Sequence, residues 1–222
     1  MNERRELRSD RAYRMLRDQI FGNELPPGYR GLEEEFALRL KMSRTPVREA
    51  LVRLQLDGLV RIEPRRGVVI LPVAPKDMKE IYEVVTAVET TAVELLARRR
   101  LTRTELAPLK KAVDAMDAAL ESDDLQRWAN EDDQFHRLLL ELCGNDRLTA
   151  IGLAQRDQVR RARMVTLHQR PKPKPSNAAH RATYEAISEG DWLRARELHR
   201  AQRESASDQI TKLLDAYPLP FI

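Results

Sequence analysis

The chain carries a single cysteine, Cys143, among its 222 residues. One thiol cannot close an internal disulfide, and no cysteine pair offers zinc-finger spacing, so a disulfide scaffold and a structural zinc module are both excluded. No apolar run approaches the roughly 18 to 20 residues that a membrane helix requires. The first residues, Met1-Asn2-Glu3-Arg4-Arg5-Glu6, are charged with no apolar segment behind them, which leaves no expected secretory leader and makes the cytoplasm the expected compartment. Glycine fills only 8 positions and no internal repeat is present, so the chain is neither collagenous nor of low complexity. Nucleophile elbow, phosphate loop and HExxH motif are all missing, and with them the commonest routes to an enzyme.

What is present suits a globular chain of two parts. Apolar residues make up 42% and charged residues 33%, enough for real cores, and the length fits two domains, expected at residues 1–76 and 77–222. The formal net charge of +4 is unevenly placed. Residues 1–76 hold 16 basic and 11 acidic side chains, net +5, while the rest hold 23 and 24, net −1. A basic first third on a near-neutral remainder suggests a polyanion partner for the first domain and another task for the second.

In the first third, Ser9 is placed to cap a helix whose apolar positions Ala12, Leu16 and Ile20 recur every four residues and which ends before Gly22 and Pro26-Pro27-Gly28. A second short helix carries Leu32, Phe36, Ala37 and Leu40. Only Lys41-Met42 separate it from Ser43, the N-cap of a third helix striped by Val47, Ala50, Leu51 and Leu54. Two β-rich runs, Leu59–Ile62 and Val68–Leu71, joined by Glu63-Pro64-Arg65-Arg66-Gly67, read as a hairpin with a basic tip. Three helices and a hairpin are the order of a winged helix-turn-helix, whose last helix enters the major groove. Arg44, Thr45 and Arg48 fall on the exposed first turns of that helix. Each guanidinium there can grip guanine O6 and N7 or fork onto phosphate, and Arg65 and Arg66 can reach the backbone from the wing.

The run Ser43-Arg44-Thr45-Pro46-Val47-Arg48-Glu49-Ala50-Leu51, followed by Arg53-Leu54, Asp57-Gly58-Leu59-Val60 and Arg65-Arg66-Gly67, resembles the DNA-binding domain of GntR-type bacterial transcriptional regulators. The resemblance covers about residues 8–72 and assigns DNA contact to Ser43, Arg44, Thr45, Arg48, Arg65, Arg66 and Gly67. Two positions depart from it. Lys41 stands where the family has a turn glycine, at a cost of about 1 kcal/mol if the turn is left-handed. Glu34 replaces an arginine that touches DNA in many members.

From Asp77 onward the periodicity is helical. Ile81, Val84, Val85, Val88, Ala92, Leu95 and Leu96 mark one helix, and Thr102 with Glu105 makes a capping box for a second. Further helices are expected from about Leu125 to Cys143, from Asp146 to Leu167, from Asn177 to Glu189 and from Asp191 to Ala216, with Arg170–Pro175 as a break. The fold class is therefore mainly α: an N-terminal winged helix-turn-helix with a small hairpin wing, then an all-α antiparallel bundle. Asp132 and His136 lie at i and i+4 and share a face, which suits either two ligands of a divalent metal or a plain hydrogen-bonded pair. Cys143 extends that face and is most simply a small buried apolar residue.

Asp132-Asp133-Gln134-Phe135-His136, Gly144-Asn145, His180 with Ala186-Ile187, and Gly190-Asp191 are similar to the helical ligand-sensing FCD domain of the FadR branch of the same regulators, over about residues 77–215. That resemblance implies a homodimer, a small-molecule effector that is often an organic acid, and in many members a divalent metal such as zinc or nickel held by one Asp and three His. Asp132, His136 and His180 map onto three of those ligands. The fourth maps onto Gln202, and His199, one turn earlier, would reach the site only if its helix were rotated. Val85 stands where an effector-binding arginine is usual, which turns attention to Arg160 and Arg163. The expected function is a ligand-responsive transcriptional regulator, probing a palindromic operator as a homodimer and acting by default as a repressor. The competing expectation is a metal-dependent hydrolytic enzyme with an accessory DNA-binding domain, for which no general base is recognisable.

Overall fold

The structure, a computed structural model, describes residues 7–216; residues 1–6 and 217–222, including the charged N-terminal run, lie outside the described part. The described residues divide into two compact units, 7–73 and 74–216.

The first unit runs α1 (Arg8–Phe21), β1 (Arg30–Gly31), α2 (Glu33–Leu40), α3 (Arg44–Leu56), β2 (Val60–Glu63) and β3 (Gly67–Ile70). Its core gathers the stripes read from the sequence: Ala12, Leu16 and Ile20 of α1, Phe36 and Leu40 of α2, and Val47, Ala50, Leu51 and Leu54 of α3 pack beneath Val68 and Ile70. Ser9 does not cap α1. The helix opens one residue before it, with Leu7 at the N-cap and no side-chain cap hydrogen bond. The wing is also broader than a hairpin. The two-residue strand β1 pairs antiparallel with β3, giving the order β1-β3-β2 with Gly31 opposite Val68 and Glu63 opposite Gly67. A strand of two residues is too short to leave an alternating pattern in the sequence. Lys41 does occupy the left-handed region, at φ 54° and ψ 43°, and its backbone N–H closes α2.

The second unit is a bundle of α4 (Pro75–Arg98), α5 (Ala107–Glu121), α6 (Leu125–Leu142), α7 (Asp146–Val165), α8 (Lys174–Glu189) and α9 (Trp192–Ala216), with a 3-10 turn at Leu167–Gln169. Side-chain caps fix three of the starts: Asp124 accepts from the Arg127 N–H, Asn145 from those of Arg147 and Leu148, and Asp191 from that of Arg194. The Thr102–Glu105 box forms, yet α5 begins only at Ala107, because the box closes a turn ahead of it. α4 packs against α6, α7, α8 and α9 and is the axis of the unit. Its buried stripe keeps Val85, Ala92 and Leu96 of the expected one and is shifted to one side of it. Met78, Tyr82, Val85, Glu89, Val93 and Leu96 face inward, whereas Val84 is 44% exposed.

Candidate nucleic-acid interface and buried polar centre

The two faces of α3 separate as its spacing requires. Val47, Ala50, Leu51 and Leu54 are buried, while Ser43, Arg44, Thr45 and Arg48 are exposed, the side chains of Arg44 and Arg48 at 64% and 73%. Ser43 is the N-cap, but its hydroxyl makes no cap hydrogen bond, so it does not consume the first-turn N–H groups that attract an anion. Arg65 and Arg66 are exposed in the turn between β2 and β3. Gly67 has a different reason to be glycine. At φ 91°, a Cβ there would stand 2.5 Å from the Gly31 carbonyl oxygen, so β1 could not approach β3. Arg53, in the same motif, is a fastening between helices: it pairs with Asp10 at 2.5 Å and lies over the Tyr13 ring at 4.3 Å.

The arginines of α3 have acidic neighbours on α2. Arg44 Nη1 donates to Glu34 Oε1 at 2.7 Å, and Arg48 Nε lies 3.9 Å from Glu33 Oε1. Exposed pairs of this kind contribute about 0–1 kcal/mol and are weakened by salt. They hold the guanidinium groups loosely.

In the bundle, five helices deliver polar side chains to one buried centre. α6 supplies Asp132 and His136, α8 His180, α9 His199, Gln202 and Arg203, α7 Arg156 and Arg163, and α4 Glu89; all are buried, Asp132 and the three histidines completely. Asp132 Oδ1 lies 2.9 Å from His180 Nε2 and 3.9 Å from His136 Nε2, and its Oδ2 pairs with the Arg163 guanidinium. Glu89 has four partners: Oε2 meets His136 Nδ1 at 3.0 Å, His199 Nε2 at 3.1 Å and Arg203 Nη1 at 3.3 Å, and Oε1 meets Arg156 Nη1 at 3.4 Å. Arg156 also donates to the carboxylate and carbonyl of Asp133.

Burial alone would raise the pKa of both carboxyls. For Asp132 the Arg163 guanidinium and the His180 hydrogen bond override it, and for Glu89 the neighbouring His136, Arg203 and His199 do so, leaving both well below the ordinary carboxylate range. Burial, reinforced by Arg203, holds His136 well below the usual imidazole value, and burial likewise lowers His180 and His199. The centre at neutral pH therefore consists of ionised carboxylates, ionised guanidinium groups and neutral imidazoles.

The ligand set implied by the resemblance is brought together in part. Asp132, His136 and His180 place ligand atoms within 4.8 Å of one another, and so do Glu89, His136 and His199. The fourth position does not fit a metal. Gln202 Nε2 donates to Ser176 Oγ at 3.0 Å, and its Oε1 accepts from Arg203 Nε at 3.1 Å, so both ends of the amide are engaged. His199 is fully buried without any rotation of α9, but it turns to Glu89 and not to Asp132. His136 likewise turns Nδ1 to Glu89 Oε2, 3.0 Å away, so its imidazole also faces a carboxylate.

Of the expected effector arginines, Arg163 is buried and committed to Asp132, and Arg160 is half-buried. Val85 is buried, as expected. Cys143 is buried beside the Asn145 carbonyl at 3.8 Å, and Trp128 donates its indole N–H to Asn177 at 3.1 Å. Glu89, Arg156 and Arg203 were not foreseen. Glu89 did leave a trace: it is a lone acid four residues from both Val85 and Val93, on the stripe that α4 buries. Among the described residues, no helix is long and apolar enough to cross a membrane.

Comparison with known proteins agrees with both halves. The sequence profile "Bacterial regulatory proteins, gntR family" matches residues 8–70, and that of the FCD domain matches residues 80–204. An HTH-type transcriptional regulator in the TAR-I ttuE-ttuC' intergenic region of Agrobacterium vitis is 47% identical over 131 residues, covering 58% of this chain and 77% of its own. The HTH-type transcriptional repressor RspR of Escherichia coli is 30% identical over 135 residues, 61% of this chain and 59% of its own. Among solved structures, a putative GntR transcriptional regulator of Rhodococcus sp. RHA1 superposes with a TM-score of 0.78 at 26% identity, over 92% of this chain and 98% of that one.

Proposed function

The chain belongs to the gntR family of bacterial DNA-binding transcriptional regulators that carry an FCD domain, and from that premise we propose that it binds a palindromic operator as a homodimer and releases or tightens it when a small metabolite enters the helical unit. One observation carries the DNA-binding part: α3 buries its apolar stripe and leaves Arg44, Thr45 and Arg48 exposed on its first turns. A single helix of this kind reads only a few base pairs, so two related by a dyad are needed to specify a site. In this reading Ser43, Arg44, Thr45 and Arg48 face the major groove, Arg65 and Arg66 meet phosphate or the minor groove, and Gly67 shapes the wing that carries them. The relative named a repressor supports repression as the sign of the response. Such a regulator works in the cytoplasm, beside its operator.

The proposed effector is an organic acid met by Arg160 and Arg163 of α7, Arg163 exchanging Asp132 for the carboxylate of the effector. A coupling of about 1–3 kcal/mol between effector and operator suffices for regulation. Hydrolysis is not part of this reading, since Asp132 and Glu89 are each tied to guanidinium groups and are poor candidates for a general base.

The test is a duplex selected from a random pool by the full chain and then titrated with Arg48→Ala. The variant should lose about 1–3 kcal/mol at the selected site, and replacing Arg65 or Arg66 should lower the salt slope by about 1 each. Undiminished affinity of Arg48→Ala would refute the assignment of α3.

A further inference from the structure

The charge arithmetic of the bundle centre departs from what a metal-holding member needs. Two buried carboxylates, Asp132 and Glu89, face two buried guanidinium groups, Arg163 and Arg203; Arg156 divides itself between Glu89 and Asp133 and brings its own balance. A divalent cation placed among them would add two charges that no remaining anion offsets, in a region screened by almost no water.

The coordination positions are also spoken for. Arg163 holds Asp132 Oδ2 and rests 5.6 Å from the Trp128 ring centroid, while Arg203 holds Glu89 and rests at the same distance, 5.6 Å, from Tyr82. The imidazoles are oriented as donors to carboxylates. His180 and His199 each present Nε2 to a carboxylate oxygen, at 2.9 and 3.1 Å. Their Nδ1 atoms have no hydrogen-bond partner. In a metal site the relation is reversed, since a ligating imidazole donates its far N–H to a carboxylate or carbonyl that fixes its tautomer. That outer partner is missing for both.

We infer that the sensor domain of this chain is a metal-independent variant, in which the guanidinium groups of Arg163 and Arg203 neutralise Asp132 and Glu89 and hold the bundle centre that a divalent cation holds in other members. Gln202 completes the change: its amide bridges Arg203 to Ser176 where a fourth imidazole would reach for metal. The five helices that carry these residues are then joined by hydrogen-bonded ion pairs, and His136 lies between the two carboxylates.

Elemental analysis and thermal denaturation of the full chain, purified without a histidine tag, test this independently of DNA binding, so a failure here leaves the regulatory reading standing. The wild type should retain less than about a tenth of an equivalent of zinc or nickel, and its Tm should be unmoved by either ion or by a chelator. About one retained equivalent, or a Tm that falls on chelation, overturns the proposal. The double variant Arg163→Met with Gln202→His removes one cation and restores the fourth imidazole. It should take up about one zinc and gain about 5–10 °C in Tm when zinc is added. A folded double variant that ignores zinc would overturn the role given to Arg163 and Gln202. Should that variant fold in neither condition, the wild-type measurement alone decides.

Discussion

Glu89 is one carboxylate answering to two guanidinium groups and two imidazoles, and its replacement isolates what such a group does for stability. Glu89→Gln keeps the shape but leaves Arg203 and Arg156 opposite a neutral amide, and breaking a buried pair by neutralising one member costs about 3–5 kcal/mol. Thermal or urea denaturation should show a loss of that size; a change below about 1 kcal/mol would mean that the cluster contributes little to the bundle. In the first unit, Glu34 keeps Arg44 occupied and also repels phosphate. Glu34→Gln should strengthen DNA binding about threefold to tenfold at low salt, with the gain shrinking as salt is added, in a titration of any duplex that the wild type binds. Weaker binding by this variant would indicate that Glu34 positions Arg44 for the groove. Residue spacing made Asp132 and His136 legible, since i and i+4 on a helix share a face whatever the fold. It did not make their partners legible. Arg163 and Arg203 look like solvated helix arginines until the acids they meet, on α6 and α4, are known.

At the scale of elements, the three N-terminal helices were readable from capping residues, four-residue spacing and Pro-Gly stops, which are local signals. The strand β1 was not, because it exists only as a partner for β3. Its dependence gives a test. Gly67→Ala forces a Cβ against the Gly31 carbonyl and places alanine at φ 91°, so β1 must leave β3 or Gly67 must change conformation. A loss of about 2–4 kcal/mol is expected in the first unit, with the wing's amide protons exchanging faster. Unchanged exchange at Val68 and Val69 would show that the wing tolerates the side chain. The rotated stripe of α4 has the same physical origin as the missed strand. Ile81, Val84 and Val88 compose a plausible apolar face, but packing against α7 and α9 selects the neighbouring face with Tyr82 and Glu89, because only there does a carboxylate find His199 and Arg203.

For the whole molecule, the acid side of the stability curve is set in the second unit. Burial lowers the pKa of His136, His180 and His199 in the folded chain, so between that lowered value and about 6.5 the unfolded chain binds protons that the folded one refuses. Their contribution is complete above about pH 6.5 and is lost as the pH falls, by up to about 1.4 kcal/mol per pH unit for each imidazole. Asp132 and Glu89, held low by their cationic neighbours, add their own loss only below about pH 4. Denaturation midpoints measured from about pH 7.5 down to 5 should therefore drop steeply for the second unit, and a flat profile over that range would contradict neutral buried imidazoles. The division into two units was visible as a shift in charge and in secondary-structure pattern near Asp77, since each unit is built on its own core. What fills the centre of the second unit was not visible, because it depends on side chains that meet across five helices.

That one acid on α4 fastens α6, α7 and α9 has a further consequence for how a guest is received. A visiting anion that captures Arg203 or Arg156 does not loosen a single tie; it unsettles the common knot, and the other strands of the knot slacken with it. On the effector reading proposed above, the helical half would answer in one abrupt step, a threshold and not a dial.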